Sequence, residues 1–197
     1  MRAAVTGRPG RIRSSAARHA ILEATRDELA QRGYDKFSVE RVASAAGVGK
    51  QTVYRWYPSK SALVADCILL GYLRTPGIET PDTGDVRRDI TGWAQTFAEI
   101  STQPEAVAIA LAGTAASAED SNVAARYHEQ IVALTESALS DRLQQGERAG
   151  QLKAGVPART VAETIVGALL YRLLTRQPLT TEFVEELMVV VFDGIQS

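Results

Sequence analysis

Apolar residues recur at helical spacing from about Ser15 almost to the end of this chain, and the breaks between them are short and rich in Gly and Pro. The first run, Ser15 to Arg32, carries Ala17, Ala20, Ile21, Ala24 and Leu29 along one side, and Gly33 and Tyr34 end it. Val39, Val42, Ala43 and Ala46 then fall at i, i+3, i+4 and i+7, which predicts a short helix capped by Ser38 and closed by Gly47. A second short helix follows from about Lys50 to Trp56, with Val53 and one side of Tyr57 to bury. Pro58 and Ser59 open the next, whose apolar face of Leu63, Val64, Cys67, Ile68, Leu70 and Leu73 runs to about Arg74. The segment TPGIETPDTGD is a loop and the clearest boundary. Beyond it the pattern predicts helices over Asp85 to Ile100, Pro104 to about Ala116, Glu119 to about Ala149, Pro157 to about Arg176 and Thr181 to Gly194. Ser117 and Asp120 form a capping-box-like pair at the start of the long central one. No stretch after residue 13 alternates with a period of two, so the expected fold is all-α with about nine helices.

A short helix, a Gly-containing break and a second short helix make a helix-turn-helix pattern over 38–57. The second helix leaves Lys50, Gln51, Thr52, Tyr54 and Arg55 outward, where they can reach base edges and phosphates in a major groove. The run GVGKQTVYRWYPSKSAL resembles the signature of the tetracycline-repressor (TetR) family of bacterial transcriptional regulators. Gly47, Thr52, Tyr54, Trp56, Tyr57, Lys60 and Leu63 stand where that signature expects them, and the upstream AILEATRDELAQRGYDKFSVERVA looks like the family's first helix. The resemblance implies base contacts from Lys50, Gln51, Thr52 and Arg55, and phosphate contacts from Ser38, Tyr54, Trp56 and Lys60. One departure matters. Family members often have Thr where Val39 stands and a small or basic residue where Glu40 stands, so a phosphate contact there falls to Ser38 or is lost. The resemblance also implies a helix-turn-helix domain over 14–58 and a helical regulatory and dimerisation domain over 59–197, joined by a linking helix over 59–74.

The net charge of -1 hides a segregation. Residues 1–60 hold 12 Lys and Arg against 5 Asp and Glu, net +7, while residues 61–197 hold 10 against 18, net -8. A basic first third suits phosphate neutralisation, and an acidic remainder cannot lie along DNA. Residues 1–13 are rich in Gly, Pro and Arg and are expected to be a disordered arm. Arg8, Arg11 and Arg13 on it either enter a narrow minor groove or form a solvated leader that touches phosphates at random. No run approaches the roughly 18 apolar residues of a membrane span, and the amino terminus lacks an apolar signal segment. A cytoplasmic protein with no membrane partner is the expectation, and the single Cys67 is read as packing.

The last two helices are apolar on more than one side, which calls for two partners: the subunit's own core and a second copy. The face expected to meet that copy carries Val161, Ile165, Leu169 and Leu173 on one helix and Phe183, Leu187, Val190 and Val191 on the other. The resemblance implies a homodimer on an inverted-repeat operator of double-stranded DNA, with repression as the family default and a small, mostly apolar effector bound in the body. Trp93, Phe97, Tyr127 and His128 are placed nearest that cavity, with Leu111, Ile131 and Tyr171 as further lining, although an aromatic stripe at helical spacing is also ordinary core. A regulator without an effector, controlled by a protein partner or by abundance, remains the alternative. No nucleotide-binding, serine-hydrolase or zinc-protease motif occurs and the two histidines lie far apart, so neither an enzyme nor a cofactor is expected.

Overall fold

The computed structural model describes residues 9–73 and 77–195, with side chains over 15–73 and 77–193. Every regular element among them is helical: α1 Pro9–Arg32, α2 Val39–Ala45, α3 Lys50–Trp56, α4 Lys60–Leu69, α5 Val86–Ile100, α6 Pro104–Glu119, α7 Ser121–Tyr127, α8 Ala133–Arg148, α9 Ala158–Leu174 and α10 Thr181–Ile195. A π turn, His128–Val132, joins α7 to α8 without a break. Counted as one interrupted rod, these make nine helices among the described residues, and the all-α expectation holds.

Two cores organise the chain. The first gathers Ile21, Leu29, Val42, Val53, Leu63 and Ile68 from α1 to α4, and Ala108, Ile109 and Ala112 of α6 close it from behind. The second lies between α5, α8, α9 and α10, around Trp93, Leu139, Leu143, Ile165, Met188 and Phe192. Each such side chain taken fully out of water contributes about 1.5–3 kcal/mol. Small residues set the closest approaches: a Cβ on Gly146 of α8 would lie 2.8 Å from Val86 of α5. Within the second core Asp89 and Arg142 form an ion pair with side chains 0% and 6% exposed. The Asp89 carboxylate also accepts from the Thr83 backbone N–H and hydroxyl, which pins the loop before α5.

Three boundaries differ from those expected. Helix α1 starts at Pro9, so residues 9–13 continue the helix instead of forming a disordered arm. Proline at a first helical position has its φ already set and no N–H to lose. Helix α4 stops at Leu69 rather than about Arg74, because Gly71 turns left-handed (φ +77) and Tyr72 N–H donates to Cys67 O at 3.0 Å. The long helix expected from Glu119 starts at Ser121, where Asp120 caps it by accepting from the Asn122 and Val123 N–H groups, and is interrupted by the π turn at His128–Val132. Ser117 is no cap. It lies inside α6, where its hydroxyl donates to Gly113 O at 2.6 Å.

Candidate nucleic-acid interface

The turn between α2 and α3 is built by local chemistry. Ser38 Oγ accepts from Arg41 N–H and fixes the start of α2. At its end Gly47 takes φ +65, Gly47 N–H donates to Ser44 O and Val48 N–H to Ala43 O at 3.0 Å, a Schellman turn that sends Val48 against the first core. Helix α3 then buries Val53 completely and leaves Lys50, Gln51, Tyr54 and Arg55 exposed. Thr52 and Trp56 are half-buried. Of the residues expected at bases and phosphates, four therefore share one open helical face, and Thr52 and Trp56 stand at its margin.

The far end of α3 is anchored by its cap residue Tyr57 together with Arg18 of α1 and Asp66 of α4. Arg18 Nη2 donates to Asp66 Oδ2 at 2.6 Å, Tyr57 Oη donates to the same oxygen at 2.9 Å, and Arg18 Nε reaches Tyr57 Oη at 3.3 Å. Burial pushes the Tyr57 phenol up to about 12, so it stays a donor. On the other side Arg41 Nε donates to buried Glu28 at 2.7 Å and holds α2 to α1. Neither anchor was visible in the sequence, because each joins positions far apart whose charges read as ordinary surface.

Three expected contact residues are engaged within the protein. Ser38 Oγ donates to Glu40 Oε2 at 2.8 Å, and Lys50 pairs with Glu40 Oε1. Lys60 Nζ donates to Tyr34 O and sits 3.9 Å from the centre of the Tyr34 ring, and burial lowers its pKa. Arg8 and the side chains of Arg11 and Arg13 lie outside the described residues.

The residues expected around an effector do not converge. Trp93 and Phe97 stack at 5.6 Å in the second core, whereas Tyr127 and Ile131 pack on the first. Leu111 is half-buried on α6, His128 is exposed on the π turn, and Tyr171 is 67% exposed. Tyr127 instead packs against Gly113, where an added Cβ would meet its ring at 2.1 Å. A cleft of about 750 Å³ opens elsewhere, between α1, α3 and α4 on one side and α6 and α7 on the other, with Arg18, Trp56, Tyr57, Leu69, Glu119 and Arg126 in its wall. None of the expected effector residues lines it.

The expected pairing face also divides. Ile165 and Leu169 are completely buried and Val191 is 8% exposed, all within the subunit's own second core. Val161, Leu173, Phe183 and Leu187 are half-buried, and Val190 is 74% exposed. The large apolar side chains left open on these two helices are Tyr171 of α9 and Val189 and Val190 of α10, because both faces of α9 read alike in sequence and only the packing of α5 and α8 chooses between them.

Comparison with known proteins agrees with this layout. Residues 21–67 match the family model described as bacterial regulatory proteins, tetR family, and residues 80–191 match the tetracyclin repressor-like, C-terminal domain. The HTH-type transcriptional regulator YdeS of Bacillus subtilis is 30% identical over 95% of this chain and 94% of its own length. AqdR of Rhodococcus erythropolis, also an HTH-type transcriptional regulator, is 27% identical over 82% of this chain and 76% of its own. The crystal structure of the TetR family transcription regulator SCO0332 superposes with a TM-score of 0.62 at 30% identity, covering 92% of this chain and 99% of that one. With an open polar face on α3, a second domain behind it and both halves matched, the chain belongs to the TetR family of DNA-binding transcriptional regulators.

Proposed function

We propose that this protein is a homodimeric repressor that holds an inverted-repeat operator through α3 of each subunit and is released by a small organic effector. The observation that carries the DNA part is the exposure of Lys50, Gln51, Tyr54 and Arg55 on one face of a helix whose opposite residue, Val53, is fully buried. Two such helices related by a two-fold axis fit half-sites about one helical turn apart. The open apolar surface of Tyr171, Val189 and Val190 supports pairing through α9 and α10.

The effector is better accommodated by the cleft between head and body than by the residues expected from sequence. Its volume of about 750 Å³ suits a small organic molecule. Trp56 and Tyr57 in its wall stand at the end of α3, so an occupant that prefers a wider cleft shifts the recognition helix.

Selection of duplexes from a random pool, followed by footprinting, tests the DNA reading: an inverted repeat should emerge, and indifference to sequence would overturn it. Thermal-shift screening of small organic compounds tests the effector reading. Hits should release the selected duplex, and Val123→Trp, which fills the cleft, should abolish both effects. A broad library without a response would favour control by a protein partner or by abundance.

A further inference from the structure

Helix α9 ends in a turn that would suit glycine but holds arginine. Arg176 has φ +58, the one non-Gly residue in the left-handed region among those described. Its N–H donates to Leu173 O at 3.2 Å and Gln177 N–H to Arg172 O at 2.8 Å, the same Schellman geometry that Gly47, Gly71 and Gly150 supply after other helices. A Cβ is disfavoured in that conformation, so the side chain must be there for something else. It reaches the DNA-binding head. Nη1 and Nη2 of Arg176 donate to both oxygens of Asp35, at 2.8 and 2.7 Å, in the turn between α1 and α2.

Both ends of this bridge are braced. Arg172 Nη1 donates to Pro178 O at 2.7 Å and its guanidinium stacks on the Phe183 ring at 3.8 Å, which stiffens the loop from α9 to α10. On the head side Lys60 Nζ donates to the carbonyl of Tyr34, beside Asp35. Arg176 and Asp35 are 66% and 60% exposed, so as a single surface ion pair they add little to the stability of the fold. A two-pronged fork does fix orientation. The head's other attachments are the packing of α1 and α4 on α6 and of α4 on α7, and the fork adds one to the end of α9, which resists turning about the others with the modest strength of a surface pair.

We propose that Arg176 and Asp35 form a latch that sets the angle of the DNA-binding head against α9 and α10, and so the separation of the two recognition helices in the dimer. This rests on the homodimer reading above. Arg176 and Asp35 are positioning residues: they act on operator spacing through the whole head rather than by touching DNA.

The test uses the full chain and an inverted-repeat duplex selected by the wild-type protein, with companions whose spacer is one or two base pairs longer or shorter. Arg176→Gly keeps the left-handed turn and removes the fork, and Asp35→Asn removes the other partner. The pair Asp35→Arg with Arg176→Asp restores it with reversed sign, since Asp tolerates this backbone region. The preference for the selected spacing over the altered ones should fall by about fivefold in each single variant and return in the reversed pair. Taking the ratio between spacings cancels any general change of affinity from the altered charge. Single variants that remain dimeric at the wild-type melting temperature and keep the wild-type preference would overturn the latch, as would failure of the reversed pair to restore what they lose. A monomeric wild-type protein would overturn the dimer reading first, and the latch with it.

Discussion

Glu40 on α2 holds Lys50, the first residue of the recognition helix, in an ion pair, and takes the Ser38 hydroxyl as well. A hydroxyl and an ammonium are the partners a DNA phosphate would seek, so under the proposed DNA reading the Glu40 carboxylate competes with a phosphodiester for both. Lys50 and then Ser38 drive its pKa down to about 2. A lowered folded value means that the interaction is complete above the ordinary carboxylate range and lost only as pH falls through about 2, so the pair is intact in any ordinary binding assay. Glu40→Gln should tighten operator and scrambled duplexes alike by about two- to fivefold at low salt, the scale of one exposed pair. The slope of log affinity against log salt should steepen by about 0.9 as Lys50 is freed to neutralise a phosphate. Were the change confined to one base position, Glu40 would be reading a base and not displacing a phosphate.

Lys60 combines a DNA role implied by its family with an internal one. Its ammonium donates to Tyr34 O and lies over the Tyr34 ring. Lys60→Ala is therefore expected to lower stability by about 1–2 kcal/mol, from a lost charged hydrogen bond and cation–π contact in a partly buried place. It should also weaken all duplexes and flatten the salt dependence. Denaturant unfolding and salt-titrated binding on the same preparation separate the two roles: lower stability with an unchanged salt slope would leave Lys60 purely structural.

What could be read from sequence was what neighbours decide. The Ser38 cap, the Gly47 turn and the burial of Val53 each follow from residues within a few positions, and the structure has them as expected. What could not be read depends on where distant helices come to rest. Trp93 and Tyr127 look equally suited to a pocket wall, yet α5 faces one core and α7 the other. The π turn at His128–Val132 has no sequence signature, although it shifts every later residue of that rod relative to a continuous α-helix. Arg18, Asp66, Asp35 and Arg176 are charged residues on exposed-looking helix faces or in turns, and only the tertiary fold makes them partners.

The Asp89–Arg142 pair should dominate the acid sensitivity of the body. Burial pushes the Asp89 carboxyl up, but hydrogen bonds from Thr83 and Arg142 outweigh it and leave the pKa below its ordinary value. The sign follows: this stabilisation is present above the unfolded value of about 3.9 and is lost as pH falls through the lower folded one. Asp89→Ala leaves buried Arg142 with only the exposed Asp82 carboxylate, 3.7 Å away, as counter-charge, which should destabilise the protein by about 3 kcal/mol and lower the melting temperature by roughly 10 °C. The variant should also lose the component of melting temperature that depends on pH below about 4. Equal stability of variant and wild type at neutral pH would mean that the pair is replaced by water at no cost.

Val190 and Ile165 give opposite expectations on α10 and α9, the helices of the proposed dimer contact. Val190 is 74% exposed on α10, so Val190→Glu places a charge in water within the subunit but in the apolar contact of the proposed dimer. Light scattering should then show a folded monomer, with helicity and melting behaviour close to those of an isolated subunit. Affinity for an inverted repeat should fall by orders of magnitude, because each half-site is then bound separately. Ile165 is completely buried in the second core. Ile165→Glu should unfold the body by burying an unpaired charge, a failure visible in circular dichroism before any change in assembly is measured. If Val190→Glu stays dimeric while Ile165→Glu folds and dissociates, pairing runs through the part of the expected face that carries Ile165 and not Val190, and the packing of α9 against α5 and α8 is wrong.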